Sequence, residues 1–163
     1  MVRFALFFLM LRPGFAAKND INYETAHLER RLTAIKTTEK IGIDGRLDEP
    51  AWAKAPAADH FVQREPEEGE PASESTEIRV LYDDDNLYFA ISAKDSQAGR
   101  IIINELRKDF NTDSGDSVEI ILDTFHDGRN AYRFATSPAG AKWDAQMVGE
   151  GAKTTRIGTA SGT

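Results

Sequence analysis

The clearest structural signal in this sequence lies in residues 77–92, EIRVLYDDDNLYFAIS. Apolar side chains at Ile78, Val80 and Tyr82 are spaced by two, and a second alternating run follows residues 83–86. A period of two is typical of β-strands, because successive side chains point to opposite faces. The segment between the runs is Asp-Asp-Asp-Asn, residue types that tolerate left-handed backbone and bond to their own turn. Residues 77–92 therefore predict a β-hairpin.

Further strand patterns follow at short spacing. Residues 117–123 alternate, with apolar side chains on one face, and residues 131–136 begin soon after a His-Asp-Gly turn. Residues 100–106 include three consecutive isoleucines, which disfavour a helix and predict another strand. Short strands separated by turn residues predict an all-β protein, an antiparallel β-sandwich of the immunoglobulin or jelly-roll kind.

One short helix is expected before the hairpin. Pro50 suits the first helical position, because its missing N–H group would have no partner inside the helix. Asp48 or Glu49 is placed to cap this helix with its side chain. Trp52 is expected to point inward and to belong to the core.

The first 17 residues have the pattern of a secretory signal peptide. Arg3 is followed by an apolar run, residues 4–11, and then by small residues that favour cleavage after Ala16 or Ala17. The run is much shorter than the ~20 residues of a membrane-spanning helix. A buried N-terminal strand or a misplaced start codon is the alternative. Export without cysteine predicts a bacterial protein of the periplasm, outer membrane or extracellular space.

Composition excludes several classes of function. The 163 residues include 27 acidic and 20 basic ones, and the net charge of −7 argues against a nucleic-acid partner. The absence of cysteine excludes disulfides, thiolate zinc sites and cysteine nucleophiles. The histidines are scattered at positions 27, 60 and 126, and there is no phosphate loop or dinucleotide motif. A glycoside hydrolase needs two carboxylates across a cleft, and the sequence cannot place such a pair.

Several motifs in fixed order resemble one known family. They are IGIDGRLDEPAW at 41–52, VLYDDDNLY at 80–88 and DSVEI at 116–120. Over about residues 32–147 this set is similar to the family 9 carbohydrate-binding modules. The stretch LDTFHDGRNAY at 122–132 looks closer to a subgroup that forms the N-terminal module of bacterial outer-membrane-associated proteins.

The resemblance implies a function. Such modules are β-sandwiches appended to glycoside hydrolases, which implies non-catalytic carbohydrate binding in polysaccharide breakdown. The implied partners are a polysaccharide or oligosaccharide, and a downstream domain acting on O-glycosyl bonds or an outer-membrane barrel. The alternative is a structural or interaction domain of an outer-membrane β-barrel protein. A glycoside hydrolase in its own right is the third hypothesis.

The resemblance also indicates candidate sugar-binding residues. Phe110 lies where the family has a stacking aromatic, Glu119 matches the glutamate of the motif, and Arg133 is the arginine available on the next strand. Trp143 is a second candidate platform for a sugar ring. The alternatives are structural: Phe110 as a core residue, Glu119 as a solvent-facing residue with Arg133 as its cross-strand partner, and Trp143 as part of a sheet.

Two further expectations concern metal and chain organisation. Asp83, Asp84 and Asp85 offer hard oxygen ligands for calcium, which the family can carry, but a solvated hairpin tip explains them equally well. No other cofactor is indicated. Residues 18–30 are predicted as a flexible lead-in, 31–148 as the module and 149–163 as a disordered tail. Because the tail has no strand pattern, the closing strands of the sandwich are expected to be missing.

Overall fold

The computed structural model describes residues 31–101, 103, 106–113 and 115–157. The predicted signal peptide and lead-in lie outside these residues, as does the end of the predicted tail from 158. The chain divides between Ser96 and Gln97 into two compact units. Within the described ranges, no helix is long and apolar enough to span a membrane.

The first unit contains a three-stranded sheet and a short helix. Strands β2 and β3 pair in antiparallel register from Thr76↔Ala93 to Tyr82↔Leu87, so the predicted hairpin is confirmed. The strands lie side by side in the order β1-β2-β3. The bounds of these elements are β1 Ile35–Lys36, α1 Pro50–Lys54, β2 Thr76–Tyr82 and β3 Leu87–Ala93.

Strand β1 departs from the antiparallel prediction. It pairs in parallel with β2, Ile35 opposite Leu81 and Lys36 opposite Tyr82. Parallel neighbours need a long connection, and the helix and loops between Lys36 and Thr76 supply it.

The core of the first unit forms around α1. Trp52 is buried, as predicted, in a cluster with Ile41, Ala51, Ala55, Leu81 and Ala90. Pro50 occupies the first helical turn, but Glu49 does not cap the helix with its side chain. Its carboxylate instead accepts hydrogen bonds from Gly42 N (2.7 Å) and Trp52 Nε1 (3.1 Å). The prediction of a capping Asp48 or Glu49 is therefore wrong, because Glu39 reaches the helix and accepts from Ala51 N at 3.0 Å.

The second unit is an antiparallel sheet in the order β4-β5-β6-β7. The first two strands confirm the patterns predicted near 117–123 and 131–136. Phe110 covers part of this sheet, in a buried cluster with Ala135, Ala141, Trp143 and Ala145. The strands are β4 Val118–Leu122, β5 Ala131–Thr136, β6 Lys142–Val148 and β7 Lys153–Arg156.

Two segments differ from their sequence predictions. In the predicted strand 100–106, Arg100 ends a 3-10 turn, Ala98–Arg100, and the residues described after it are not in a strand. Ile103 and Leu106 are exposed, so they lack the half-buried sheet surface that makes β-branched residues favourable. Within the predicted tail, β7 pairs with β6. The backbone N–H and C=O groups at the edge of β6 need hydrogen-bond partners, and β7 supplies them.

The all-β fold class is confirmed. Both units are built on sheets, and the described residues contain only five in an α-helix. Two sheets with almost no helix are consistent with the predicted β-sandwich.

Candidate functional site

The pairing of β4, β5 and β6 places Glu119, Arg133 and Trp143 on one face of the second sheet. Glu119 lies opposite Ala135, which lies opposite Trp143. The next row on this face is Ile121, Arg133 and Ala145. Directly paired residues point to the same side of a sheet, so these six side chains share a face.

Glu119 and Arg133 form a bidentate ion pair on this face. Arg133 Nε donates to Glu119 Oε2 at 3.0 Å, and its Nη2 donates to Oε1 at 2.5 Å. The two side chains are 29% and 26% exposed, so both charges are partly shielded and still reach solvent. A forked contact of this kind fixes the orientation of both planar groups. The pair therefore presents a preformed polar surface with donors and acceptors side by side.

Trp143 lies against the arginine of this pair. The Arg133 guanidinium carbon is 5.0 Å from the centre of the Trp143 ring, within the range of a cation–π interaction. Trp143 is only 8% exposed and Phe110 only 4%, and they belong to one buried cluster. Neither ring presents an open face of the kind that sugar stacking requires.

The structure thus brings three of the four predicted residues into contact and buries the fourth beside them. The binding roles of Phe110, Glu119, Arg133 and Trp143 stay predictions, while their positions match the structural alternatives. Ile121 was missed, although it is 41% exposed and lies opposite Arg133. The sequence could have identified Ile121, because it lies two residues after Glu119 and alternation along a strand places both side chains on the same face.

The loop that carries Phe110 contains an unusual residue. Asp109 has a positive φ of 63°, a region that non-glycine residues seldom occupy. Its backbone N–H donates to Lys142 O at 2.9 Å, which ties the loop to β6. Its Oδ1 is buried and has no hydrogen-bond partner among the described residues. One residue therefore combines backbone strain with an unpaired polar atom next to the candidate site.

In the first hairpin, Asp83 bonds within the turn and Asp84 pairs with a neighbouring strand. Asp83 accepts hydrogen bonds from the Tyr88 hydroxyl (2.7 Å) and from the backbone N–H groups of Asp85 and Asn86 (2.8 and 2.6 Å). The Tyr88 bond is the main cause that lowers the pKa of Asp83 to about 2. Asp84 pairs with Lys36 at 2.5 Å. These contacts support the interpretation as a hairpin tip.

The calcium hypothesis receives no support from side-chain clustering. In the part of the chain that the structure describes, no group of three or more His, Cys, Asp or Glu side chains could hold a metal ion.

Comparison with known families agrees with the resemblance found in the motifs. The sequence model of the family described as carbohydrate family 9 binding domain-like matches residues 43–162. Because the match covers more than half of the chain, this protein belongs to that family. The membership supports carbohydrate binding in general. No curated protein and no solved structure matches the chain.

Proposed function

We propose that this chain is a non-catalytic carbohydrate-binding module that holds a polysaccharide or oligosaccharide at the Glu119–Arg133 pair. The observation that carries the proposal is the family match over residues 43–162, which include both side chains. Binding proceeds by hydrogen bonding and apolar contact, without cleavage of a glycosidic bond.

The chemistry of the pair suits sugar hydroxyls. A guanidinium has five N–H donors, and Glu119 uses two of those on Arg133. A carboxylate has about four acceptor positions, so Glu119 can accept further hydrogen bonds. A hydroxyl both donates and accepts, and vicinal hydroxyls match a donor next to an acceptor. The exposed Ile121 beside the pair offers apolar surface to the C–H side of a ring.

The setting of this activity is part of the proposal. The signal-like residues 1–17 support export to the bacterial envelope or the medium. The resemblance of residues 122–132 to modules of outer-membrane-associated proteins supports a partner in the same chain, either a carbohydrate-degrading domain or a barrel. Sequencing the gene beyond the codon for Thr163 tests this: a glycosidase domain favours the first, and repeated strands of roughly ten residues favour the second.

Titration calorimetry against xylan, cellulose-derived and mixed-linkage glucan oligosaccharides tests the binding proposal. Arg133→Met is expected to weaken binding at least tenfold, because loss of charged hydrogen bonds costs about 1.5–3 kcal/mol and 1.4 kcal/mol is tenfold. Arg129→Met removes an arginine from the exposed β4–β5 turn, where its Nε lies 4.0 Å from Glu150 Oε1, and is the matched control.

Two outcomes would contradict the proposal. One is wild-type protein that binds none of these glycans, and the other is equal affinity of the Arg133→Met and Arg129→Met variants. Release of reducing sugar by the purified chain would instead revive the hydrolase hypothesis.

A further inference from the structure

We infer that Trp143 is a positioning residue for the carbohydrate site, which holds the Arg133 guanidinium in its binding orientation and does not stack on the sugar. This inference rests on the proposed function, because it assigns the role of a residue within that site. The sugar would then be recognised by polar contact with the Glu119–Arg133 ion pair rather than by aromatic stacking. The Trp143 ring would pack against this pair and hold it in place.

Burial excludes Trp143 as a platform. Stacking on a pyranose needs an exposed ring face, and only 8% of Trp143 is exposed. Its ring packs among Phe110, Ala135, Ala141 and Ala145. The Arg133 guanidinium carbon lies 5.0 Å from the centre of this ring.

Arg133 needs this support. A free arginine side chain carries about 2 kcal/mol of rotamer entropy, which must be lost when it binds a ligand in one orientation. Glu119 restrains the guanidinium in its plane through two hydrogen bonds, and the Trp143 ring restrains it from another direction. Ordering the donor before the sugar arrives lowers the entropy cost of binding.

Phe110 packs in the same cluster as Trp143 and so supports its position. It is 4% exposed and lies in the same buried cluster as Trp143. The loop that carries it is tied to β6 by the hydrogen bond from Asp109 N to Lys142 O, at the residue before Trp143. Phe110 therefore helps to hold Trp143 in place against Arg133.

A double-mutant cycle distinguishes positioning from stacking. Trp143→Leu is expected to weaken glycan binding about fivefold or more in the wild-type background, and less than twofold in the Arg133→Met background. If Trp143 contacted the sugar directly, the loss would be the same in both backgrounds, and the inference would be overturned. Trp143→Phe has a smaller ring and is expected to lose part of the affinity in the wild-type background and none in the Arg133→Met background, which covers the case in which Trp143→Leu does not fold.

A measurement without ligand separates this inference from the proposed function. In ¹⁵N spectra, the Nε–H signal of Arg133 is expected to exchange with solvent several-fold faster in Trp143→Phe or Trp143→Leu than in wild type. Trp52→Phe, which alters a buried tryptophan of the first unit, is the control and is expected to leave that signal unchanged. An unaltered Arg133 signal in both Trp143 variants overturns the positioning role even if glycans bind. A wild-type protein that binds no glycan overturns the proposed function and, with it, the assignment of Trp143 to a sugar site.

Discussion

Asp109 bears two unfavourable features that a single substitution removes. A left-handed non-glycine residue costs on the order of 1–3 kcal/mol, and an unpaired buried polar atom costs a similar amount. Glycine accepts the φ of 63° without strain, although it adds conformational freedom to the unfolded chain. Asp109→Gly is therefore expected to raise the free energy of unfolding by about 1 kcal/mol, measured by urea denaturation.

Glu150→Gly is the matched control for this change. Glu150 has nearly the same backbone conformation, with a φ of 60°, but its side chain is exposed. A gain in Asp109→Gly that exceeds the gain in Glu150→Gly reports the buried oxygen. A loss of stability in Asp109→Gly would contradict the assignment of strain to this residue.

Two phenylalanines of the second unit provide a test of burial. Phe110→Ala is expected to lower the free energy of unfolding by about 3–5 kcal/mol, because it leaves a cavity beside Trp143. Phe125 is 68% exposed on the β4–β5 turn, so Phe125→Ala is expected to change stability by about 0.5 kcal/mol or less. Chemical denaturation of both variants measures the difference, and equal effects would contradict the placement of Phe110 in the core.

The β4–β5 turn repeats the chemistry of the first hairpin. Asp127 accepts from the backbone N–H groups of Arg129 and Asn130, both at 2.8 Å, as Asp83 does from the second and third residues after it. In each case an Asp-x-x-Asn segment is followed directly by a strand, β3 or β5. Both carboxylates have a lowered pKa, Asp127 because of its backbone hydrogen bonds. The same four-residue pattern thus initiates one strand in each unit.

The hydrogen bonds of Asp83 in the first hairpin make the free energy of unfolding depend on pH. The pKa of Asp83 falls from an ordinary value of 3.8 to about 2, so its contribution is complete above 3.8 and is lost as the pH falls toward 2. Wild-type protein is therefore expected to lose stability over this interval. Asp83→Asn is expected to show a smaller decrease in its urea midpoint between about pH 4.5 and pH 2.5.

Asp84→Asn controls for the removal of a charge from the same turn. Asp84 pairs with Lys36 and does not bond to Tyr88, so this variant is expected to keep the acid sensitivity of wild type. An identical pH dependence in wild type and Asp83→Asn would show that the hydrogen bonds of Asp83 do not stabilise the hairpin.

Export of the chain is expected to change its charge as well as its location. Removal of residues 1–17 takes away Arg3 and Arg12 and changes the net charge from −7 to −9. N-terminal sequencing of protein recovered from the periplasm or medium of a bacterial host is expected to begin at Ala17 or Lys18. Protein that keeps Met1 and stays in the cytoplasm would contradict the signal-peptide prediction.

Local sequence was sufficient for the hairpin, for β4 and β5, and for the all-β class. Alternation of apolar and polar residues has a period of two wherever a strand has one buried face, and turn residues mark its ends. The same reasoning failed within residues 100–106, where the described Ile101 and Ile103 lie outside any strand despite their strand propensity. It also missed β7, because the pairing of a polar edge strand depends on β6 rather than on its own side chains.

The family motifs in the sequence pointed to Phe110, Glu119 and Arg133 as candidates, and Trp143 was a further candidate platform, but the sequence left open what each side chain contacts. Glu119 and Arg133 are 14 residues apart, and they meet because the register of β4 against β5 brings them together. Phe110 and Trp143 looked like platforms and are buried, since burial follows from packing between distant segments. Local patterns specify strands through short-range periodicity, whereas the contacts of a binding site depend on which strands become neighbours, and that is set only when the whole sheet forms.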